Sequence, residues 1–140
     1  MKALYTAVAT AKGGRNGQVS TDNGVLDVAV RMPKELGGAS NDYTNPEQLF
    51  AAGYAACFDS ALNRVIQLSG AATGETSVMA KVSIGQIGDG AFGLAANLEV
   101  NIPGVSLEEA QVLADKAHQI CPYSNATRNN MEVLLQVTNN

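Results

Sequence analysis

The two cysteines of the chain, Cys57 and Cys121, are its strongest candidates for chemistry. Cys57 lies in a long apolar segment, whereas Cys121 precedes Pro122 at the start of the polar segment CPYSNATRNN. That position predicts a Cys121 thiol near a surface or a cleft. A free cysteine is more often an inert, buried, small hydrophobic side chain than a reactive one. The residues alone leave two interpretations open: a redox pair or two unrelated thiols.

A buried Cys57 needs a nearby cation to react, because burial raises the pKa of a thiol. A positive charge about 4 Å from the sulfur stabilises the thiolate by roughly 4 kcal/mol at an effective dielectric constant of about 20, which lowers the thiol pKa by about three units. Arginine suits this task because it stays protonated and offers several donors. Arg15 lies in a glycine-rich loop and Arg64 two helical turns after Cys57. Spacing does not choose between them.

A metal site is the alternative chemistry for these residues. His118 and Cys121 have His-x-x-Cys spacing and, with Cys57, would supply three ligands. Zinc sites usually show a second matching ligand pair, and none is visible. We therefore expect no metal, and interpret His118 as a surface residue of a helix or as a neighbour of the cysteine site.

The segment that carries Cys57 is predicted to be a long helix. Residues 44–47, TNPE, offer a capping side chain, a proline in the first turn and an acid near the positive helix end. The helix should run from Pro46 to about Ser69. Its first half, LFAAGYAACF, is apolar on every side, so every side must be covered. Either a second copy of the chain covers it, or it is a central core helix of a monomer.

The remaining elements are predicted from alternation, turn residues and caps. Ser106 and Glu109 form a capping box that opens a second helix, which should end at Cys121 before Pro122. Apolar alternation predicts strands at residues 3–11, 19–21, 25–32, 78–87, 92–102 and 131–138. Because strands and helices are segregated, the fold class is α+β.

Length and composition narrow the function classes. The chain has 140 residues, so residues 1–140 should form one domain. Its net charge is -4, and we expect no basic patch that would bind nucleic acid. No signal peptide is evident, and the longest apolar run, residues 49–58, is too short to span a membrane. We expect a cytoplasmic protein, in which two cysteines are unlikely to form a structural disulfide.

Two segments resemble a known family. TNPEQLFAAGYAACFDSAL (residues 44–62) and ICPYSNATRNN (residues 120–130) are similar to the organic hydroperoxide resistance (Ohr) proteins of the Ohr/OsmC family. GGRNGQ (13–18), NGVLDV (23–28) and PKELGG (33–38) match in the same order. The resemblance covers essentially the whole chain.

This resemblance implies a thiol-dependent peroxidase that reduces organic hydroperoxides and protects against oxidative stress. Cys57 would be the peroxidatic and Cys121 the resolving cysteine, with Arg15 activating the Cys57 thiolate and Glu47 holding Arg15. The implied fold is an OsmC-like, intertwined homodimer with antiparallel sheets wrapped around two long central helices. No cofactor would be bound. The implied reductant is a dihydrolipoyl group on a lipoylated partner protein.

Several expectations follow for the site. The dipole of a helix C-terminus disfavours a thiolate, so Cys121 should not compete as first attacker. An apolar pocket would favour alkyl hydroperoxides over hydrogen peroxide. Its predicted substrate contacts are Phe50, Tyr54, Phe58 and Tyr123.

Glu47 and Cys57 are ten residues apart, about 15 Å along a straight helix. Either the helix bends, for example at Gly53, or a second subunit supplies Glu47, the hypothesis that we favour. Two other function classes stay open: a non-catalytic ligand-binding or stress-induced dimer with the same fold, and a metal-binding regulator.

Overall fold

The computed structural model describes residues 1–140, which divide into two compact units, residues 1–49 and 50–140. The prediction of one domain over the whole chain stays a prediction, and each unit is described by itself. No helix in the chain combines the length and the apolar character needed to cross a membrane.

The first unit is a small antiparallel meander. Its strands are β1 (Ala9–Lys12), β2 (Gln18–Thr21) and β3 (Asp27–Ala29), paired in the order β1-β2-β3. The predicted hairpin between β2 and β3 is confirmed, and Gly24 takes the positive φ of 70° that the turn needs. Strands β1 and β3 are shorter than predicted, β2 begins one residue earlier, and residues 3–8 form no strand.

The long helix α1 (Pro46–Ser69) has the predicted bounds. The Asn45 side chain caps it by accepting a hydrogen bond from the Gln48 backbone N–H at 2.8 Å. The helix is unbroken at Gly53, the position at which a bend was one of two alternatives for bringing Glu47 to Cys57.

One face of α1 is buried in the core of the second unit, whereas Ala52 and Ala56 on the other face are exposed. Coverage of that exposed face by a second copy of the chain stays a prediction.

The second unit is a three-stranded sheet covered by helices. Strands β4 (Ser77–Ile87) and β5 (Ala91–Asn101) form an antiparallel pair, and β6 (Val133–Thr138) adds to β5 in parallel. This sheet is therefore mixed, not purely antiparallel as predicted. The parallel pairing needs a crossover, which α2 (Leu107–Ile120) and α3 (Pro122–Thr127) provide.

The core of the second unit is built from aliphatic and aromatic side chains of α1, β5 and α2. Its fully buried members include Phe58, Leu62, Leu98, Val100 and Ala114. The α+β fold class is confirmed. Helix α3 was not predicted, because residues 122–127 are polar and their packing partners lie far away in the sequence.

Candidate functional site

The two cysteines lie next to each other in the second unit. Cys57 is in the middle of α1, Cys121 joins α2 to α3, and their sulfur atoms are 3.8 Å apart. Both are free thiols. A disulfide has a sulfur–sulfur distance of about 2.05 Å, so each sulfur needs to move by only about 1 Å for the pair to bond.

The burial of the two thiols is the reverse of the prediction. Cys121 has no exposed surface, whereas Cys57 is partly exposed. Cys57 lies at the edge of the buried face of α1, one turn beyond the buried Tyr54. Cys121 is part of the core of the second unit. The expectation of a Cys121 thiol at a surface was therefore wrong.

Contrary to the sequence prediction, Cys121 is also not at a simple helix C-terminus. Cys121 ends α2, where its N–H bonds to the Ala117 carbonyl at 2.9 Å, but it also begins α3, where its carbonyl accepts from the Asn125 N–H at 2.9 Å. It therefore lies between the negative end of one helix and the positive end of a short second one. Complete burial, rather than the dipole, is what distinguishes the Cys121 thiol from the partly exposed Cys57 thiol.

The surroundings of Cys57 in its own unit do not favour a thiolate. Burial raises the pKa of the Cys57 thiol, and the neighbouring Cys121 raises it further. The Tyr123 backbone N–H opposes them by donating a hydrogen bond to the sulfur, which lowers the pKa. The net pKa is raised, so a reactive Cys57 needs a cation from outside this set of contacts.

An apolar groove of about 770 Å³ opens beside the aromatic residues of the site. Phe50 and Tyr123 line it, with ring centroids 5.9 Å apart, together with Ile87, Phe92 and Met131. Two of the four predicted substrate contacts therefore face a groove of suitable chemistry. Tyr123 packs closely on α1: a Cβ added to Gly53 would lie 2.6 Å from the Tyr123 Oη.

The other two predicted substrate contacts, Tyr54 and Phe58, are core residues. Neither has exposed surface and neither lines the groove. The Tyr54 hydroxyl instead lies 3.1 Å from Ser124 Oγ and 3.1 Å from Thr127 Oγ1. The sequence analysis missed these hydroxyl partners. The only signal was the three-residue spacing of Ser124 and Thr127, which places them on one face only once residues 122–127 are known to be helical.

The predicted Arg15–Glu47 contact forms in the first unit. Arg15 lies in a short 3₁₀ turn, Gly14–Asn16, and Glu47 in the first turn of α1. Arg15 donates from both terminal nitrogens to the two Glu47 oxygens, at 2.8 and 2.6 Å. This bidentate hydrogen bond lowers the pKa of Glu47 and raises that of Arg15, so both stay charged.

The other arginines are engaged elsewhere. Arg64, the alternative partner for Cys57, donates to Gln67 Oε1 on the exposed side of α1. Arg31 donates to the Gly17 and Val30 carbonyls and lies over the ring of Tyr43. Of the candidates left open by spacing, Arg15 is the one held by a carboxylate in a defined orientation.

The alternative of a metal site has no support in the side-chain arrangement. No group of three or more His, Cys, Asp or Glu side chains is placed to hold a metal ion. His118 Nδ1 lies 2.8 Å from Ser124 Oγ, a hydrogen bond within the helical layer.

Known proteins are similar to this chain in sequence and in fold. The model of the family described as OsmC-like protein matches residues 38–136. The organic hydroperoxide resistance protein of Xanthomonas axonopodis pv. citri is 53% identical over 135 residues, covering 96% of this chain and 94% of that protein. The organic hydroperoxide resistance protein OhrB of Bacillus subtilis is 44% identical, covering 96% of this chain and 98% of that protein.

A solved structure extends the match to three dimensions. The crystal structure of an organic hydroperoxide resistance protein from Elizabethkingia anophelis, with thiocyanate bound, has a TM-score of 0.97 and 67% identity. Each chain covers 100% of the other. This chain therefore belongs to the organic hydroperoxide resistance proteins of the OsmC-like family.

Proposed function

We propose that this protein is a thiol peroxidase that reduces organic hydroperoxides to alcohols and protects against oxidative stress. The observation that carries the proposal is the 3.8 Å approach of two free thiols from different helices, one partly exposed and one buried. The relatives named for organic hydroperoxide resistance supply the substrate class.

The proposed reaction has two chemical steps before reduction. The Cys57 thiolate attacks the outer peroxide oxygen, the O–O bond breaks, and the leaving alkoxide takes up a proton to give an alcohol. Cys57 is now a sulfenic acid. The Cys121 sulfur then bonds to the Cys57 sulfur, and the hydroxyl group leaves with the thiol proton as water. The product is a Cys57–Cys121 disulfide.

The Arg15–Glu47 ion pair is the proposed source of the cation that Cys57 needs. A guanidinium lowers the pKa of a nearby thiol and donates hydrogen bonds to a developing alkoxide. Glu47 and Cys57 are ten residues apart on the unbroken helix α1, about 15 Å along its axis. We therefore assign the ion pair at each Cys57 to a second copy of the chain, which makes the active protein a homodimer.

The groove lined by Phe50 and Tyr123 is the proposed site for the alkyl part of the substrate. Each buried methylene contributes about 0.8 kcal/mol, so a chain of a few methylenes outweighs any binding that hydrogen peroxide can achieve there. Organic hydroperoxides should therefore be preferred over hydrogen peroxide.

An external dithiol is the proposed reductant, because the chain has only the two cysteines that form the disulfide. The resemblance to the family points to a dihydrolipoyl group on a lipoylated protein. The proposed compartment is the cytoplasm, whose reducing poise keeps both thiols ready between turnovers.

The experiment is stopped-flow mixing of the reduced protein with cumene hydroperoxide, followed by identification of the oxidised cysteines. Wild-type protein should form the Cys57–Cys121 disulfide, Cys121→Ser should stop at a Cys57 sulfenic acid, and Cys57→Ser should not react. Steady-state turnover with dihydrolipoamide or thioredoxin then identifies the reductant. A wild-type protein that shows no Cys57 oxidation contradicts the proposal.

A further inference from the structure

A buried hydrogen-bonded cluster connects the three helices that meet at the cysteines. We call Tyr54, Ser124, Thr127 and His118 the hydroxyl cluster. The Tyr54 hydroxyl is 3.1 Å from both Ser124 Oγ and Thr127 Oγ1, and Ser124 Oγ is 2.8 Å from His118 Nδ1. Tyr54 and Ser124 have no exposed surface, and Thr127 is 5% exposed.

This cluster is a polar element in an otherwise apolar core. Buried hydroxyls contribute little net stability compared with apolar groups of the same shape, and they are costly when any partner is missing. Here every member has a partner, and Thr127 Oγ1 makes a further bond to the Tyr123 carbonyl at 2.9 Å. Such a satisfied buried network fixes one arrangement of the elements that it joins.

The cluster members surround the cysteine pair in sequence and in space. Tyr54 lies three residues before Cys57 on α1, so the two share a helix face. His118 lies three residues before Cys121 on α2, and Ser124 three residues after it on α3. The cluster thus joins the helix that carries Cys57, α1, to both helices that meet at Cys121, α2 and α3.

The position of Cys121 matters most for disulfide formation. In that step the Cys121 sulfur must come from 3.8 Å to about 2.05 Å from the Cys57 sulfur, along the line of the breaking bond. The rate of such an intramolecular attack depends steeply on orientation: a misplacement of about 1 Å reduces it roughly a hundredfold. The attack of Cys57 on a hydroperoxide has no such requirement for Cys121.

We propose that the hydroxyl cluster consists of positioning residues for the resolving step: it holds the Cys121 sulfur in place to attack Cys57. This inference rests on the proposed function, in which the Cys57 sulfenic acid and the Cys121 thiol give a disulfide and water. When Cys121 is misplaced, a second hydroperoxide molecule oxidises the waiting sulfenic acid to a sulfinic acid. The cluster thereby protects Cys57 from irreversible oxidation.

A peroxide-independent assay tests the positioning directly. Reduced protein is treated with 5,5′-dithiobis(2-nitrobenzoate), which forms a mixed disulfide with the exposed thiol, Cys57, and releases one thionitrobenzoate. Attack by Cys121 on the Cys57 sulfur then breaks the mixed disulfide and releases a second thionitrobenzoate. The rate of this second release measures the reach of Cys121, and Cys121→Ser shows no second release.

Isosteric substitutions isolate the hydroxyl groups from packing. Thr127→Val keeps the shape of the side chain and loses the hydroxyl, whereas Thr127→Ser keeps the hydroxyl and loses a methyl. We expect Thr127→Val and Tyr54→Phe to slow the second release roughly tenfold or more, and Thr127→Ser to stay within about twofold of wild type. The matched controls Tyr43→Phe and Ser60→Ala, outside the cluster, should behave as wild type.

A second arm uses the same variants with cumene hydroperoxide. Tyr54→Phe, whose side chain does not line the groove, should form the Cys57 sulfenic acid at the wild-type rate. Tyr54→Phe and Thr127→Val should both close the disulfide more slowly once the sulfenic acid has formed, and accumulate more sulfinic acid per turnover by mass spectrometry. Thermal unfolding of each variant identifies any loss of fold.

Two results would overturn the inference: a second thionitrobenzoate release at the wild-type rate in both variants, or slowing by Thr127→Ser equal to that by Thr127→Val. The proposed function fails separately, when the wild-type protein closes the mixed disulfide but hydroperoxide leaves Cys57 reduced. In that case the first assay still decides the positioning.

Discussion

Replacing Gly53 by alanine should change the geometry of the cysteine site while leaving the stability of the fold nearly unchanged. Gly53 lies on α1 four residues before Cys57. A Cβ there would lie 2.6 Å from the Tyr123 hydroxyl oxygen and 3.2 and 3.3 Å from two of its ring carbons. Since comfortable heavy-atom contacts are about 3.5 Å or longer, the Tyr123 ring must move by up to about 1 Å.

The two effects on stability oppose each other. Alanine in a helix interior is about 1 kcal/mol more favourable than glycine. Overpacking typically costs about 1–3 kcal/mol, and the low end applies here because the Tyr123 side chain is 37% exposed and can shift outward. The net change in the free energy of unfolding should therefore be smaller than about 1 kcal/mol.

The effect on activity has no such compensation. Tyr123 lines the groove proposed for the alkyl group, and its backbone N–H bonds to the Cys57 sulfur. A shift of about 1 Å at both places should lower kcat/KM for cumene hydroperoxide roughly tenfold. Urea unfolding and steady-state kinetics of Gly53→Ala measure the two quantities independently.

The double variant tests the cause. Tyr123→Phe removes the oxygen that makes the 2.6 Å contact, so Gly53→Ala should cost less activity in that background than in the wild type. Gly85→Ala is the control, because a Cβ there meets nothing within 4 Å. A Gly53→Ala protein that gains the full 1 kcal/mol or so and keeps full activity would refute the reasoning.

Three further predictions concern charge and assembly. Arg15 lowers the pKa of Glu47, so the stabilisation by this ion pair should be complete above the ordinary pKa of 4.5 and lost as pH falls through the lowered pKa of the folded state. The unfolding free energies of wild type and Glu47→Gln should therefore converge in acid. Curves that stay parallel contradict this prediction. Burial, assisted by Arg128 and opposed by Asp115, lowers the pKa of His118 from 6.5. As pH falls below 6.5, the His118 side chain is therefore protonated more readily in the unfolded chain than in the folded one, and the free energy of unfolding should decrease. His118→Gln should remove that part of the pH dependence, and an unchanged slope contradicts the assignment. Co-expressed Cys57→Ser and Glu47→Ala chains should recover about a quarter of wild-type peroxidase activity, because about half of the dimers are mixed and each mixed dimer has one complete site out of two. Activity no higher than that of Glu47→Ala alone means that Glu47 does not act from the partner subunit.

Local signals predicted the helix that carries Cys57 well. The Asn45 cap, Pro46 and the apolar run are all near one another in sequence, and α1 has the predicted bounds. The β2–β3 hairpin was predicted for the same reason, because the turn residues determine it locally.

Features that depend on distant partners were not predicted. The parallel pairing of β6 with β5 depends on a crossover, and the helical state of residues 122–127 depends on packing against α1 and α2. The prediction of a Cys121 thiol near a surface or a cleft failed as well, because Cys121 is fully buried in the core of the second unit.

The site residues also divide into those that the sequence predicted and those that only the structure shows. The residues alone made Cys57 and Cys121 candidates and left Arg15 and Arg64 open, and the family resemblance added Glu47 and assigned the roles. The structure places Cys57 beside Cys121, and Arg15 beside Glu47, each pair within its own unit. Tyr54 was assigned to the substrate because it is an aromatic residue near Cys57. Only the three-dimensional structure shows its hydroxyl turned into the core, since the hydroxyl partners lie 70 and 73 residues away.

The unequal burial of the two thiols gives the proposed reduction a direction. In a Cys57–Cys121 disulfide, an incoming thiolate can reach only the Cys57 sulfur, because Cys121 is fully enclosed. Thiol–disulfide exchange requires in-line attack, so Cys121 is always the leaving group and the mixed disulfide with the reductant always forms on Cys57. In the proposed cycle the same sulfur would thus meet the oxidant and the reductant in turn, and a single opening to the surroundings would serve both halves.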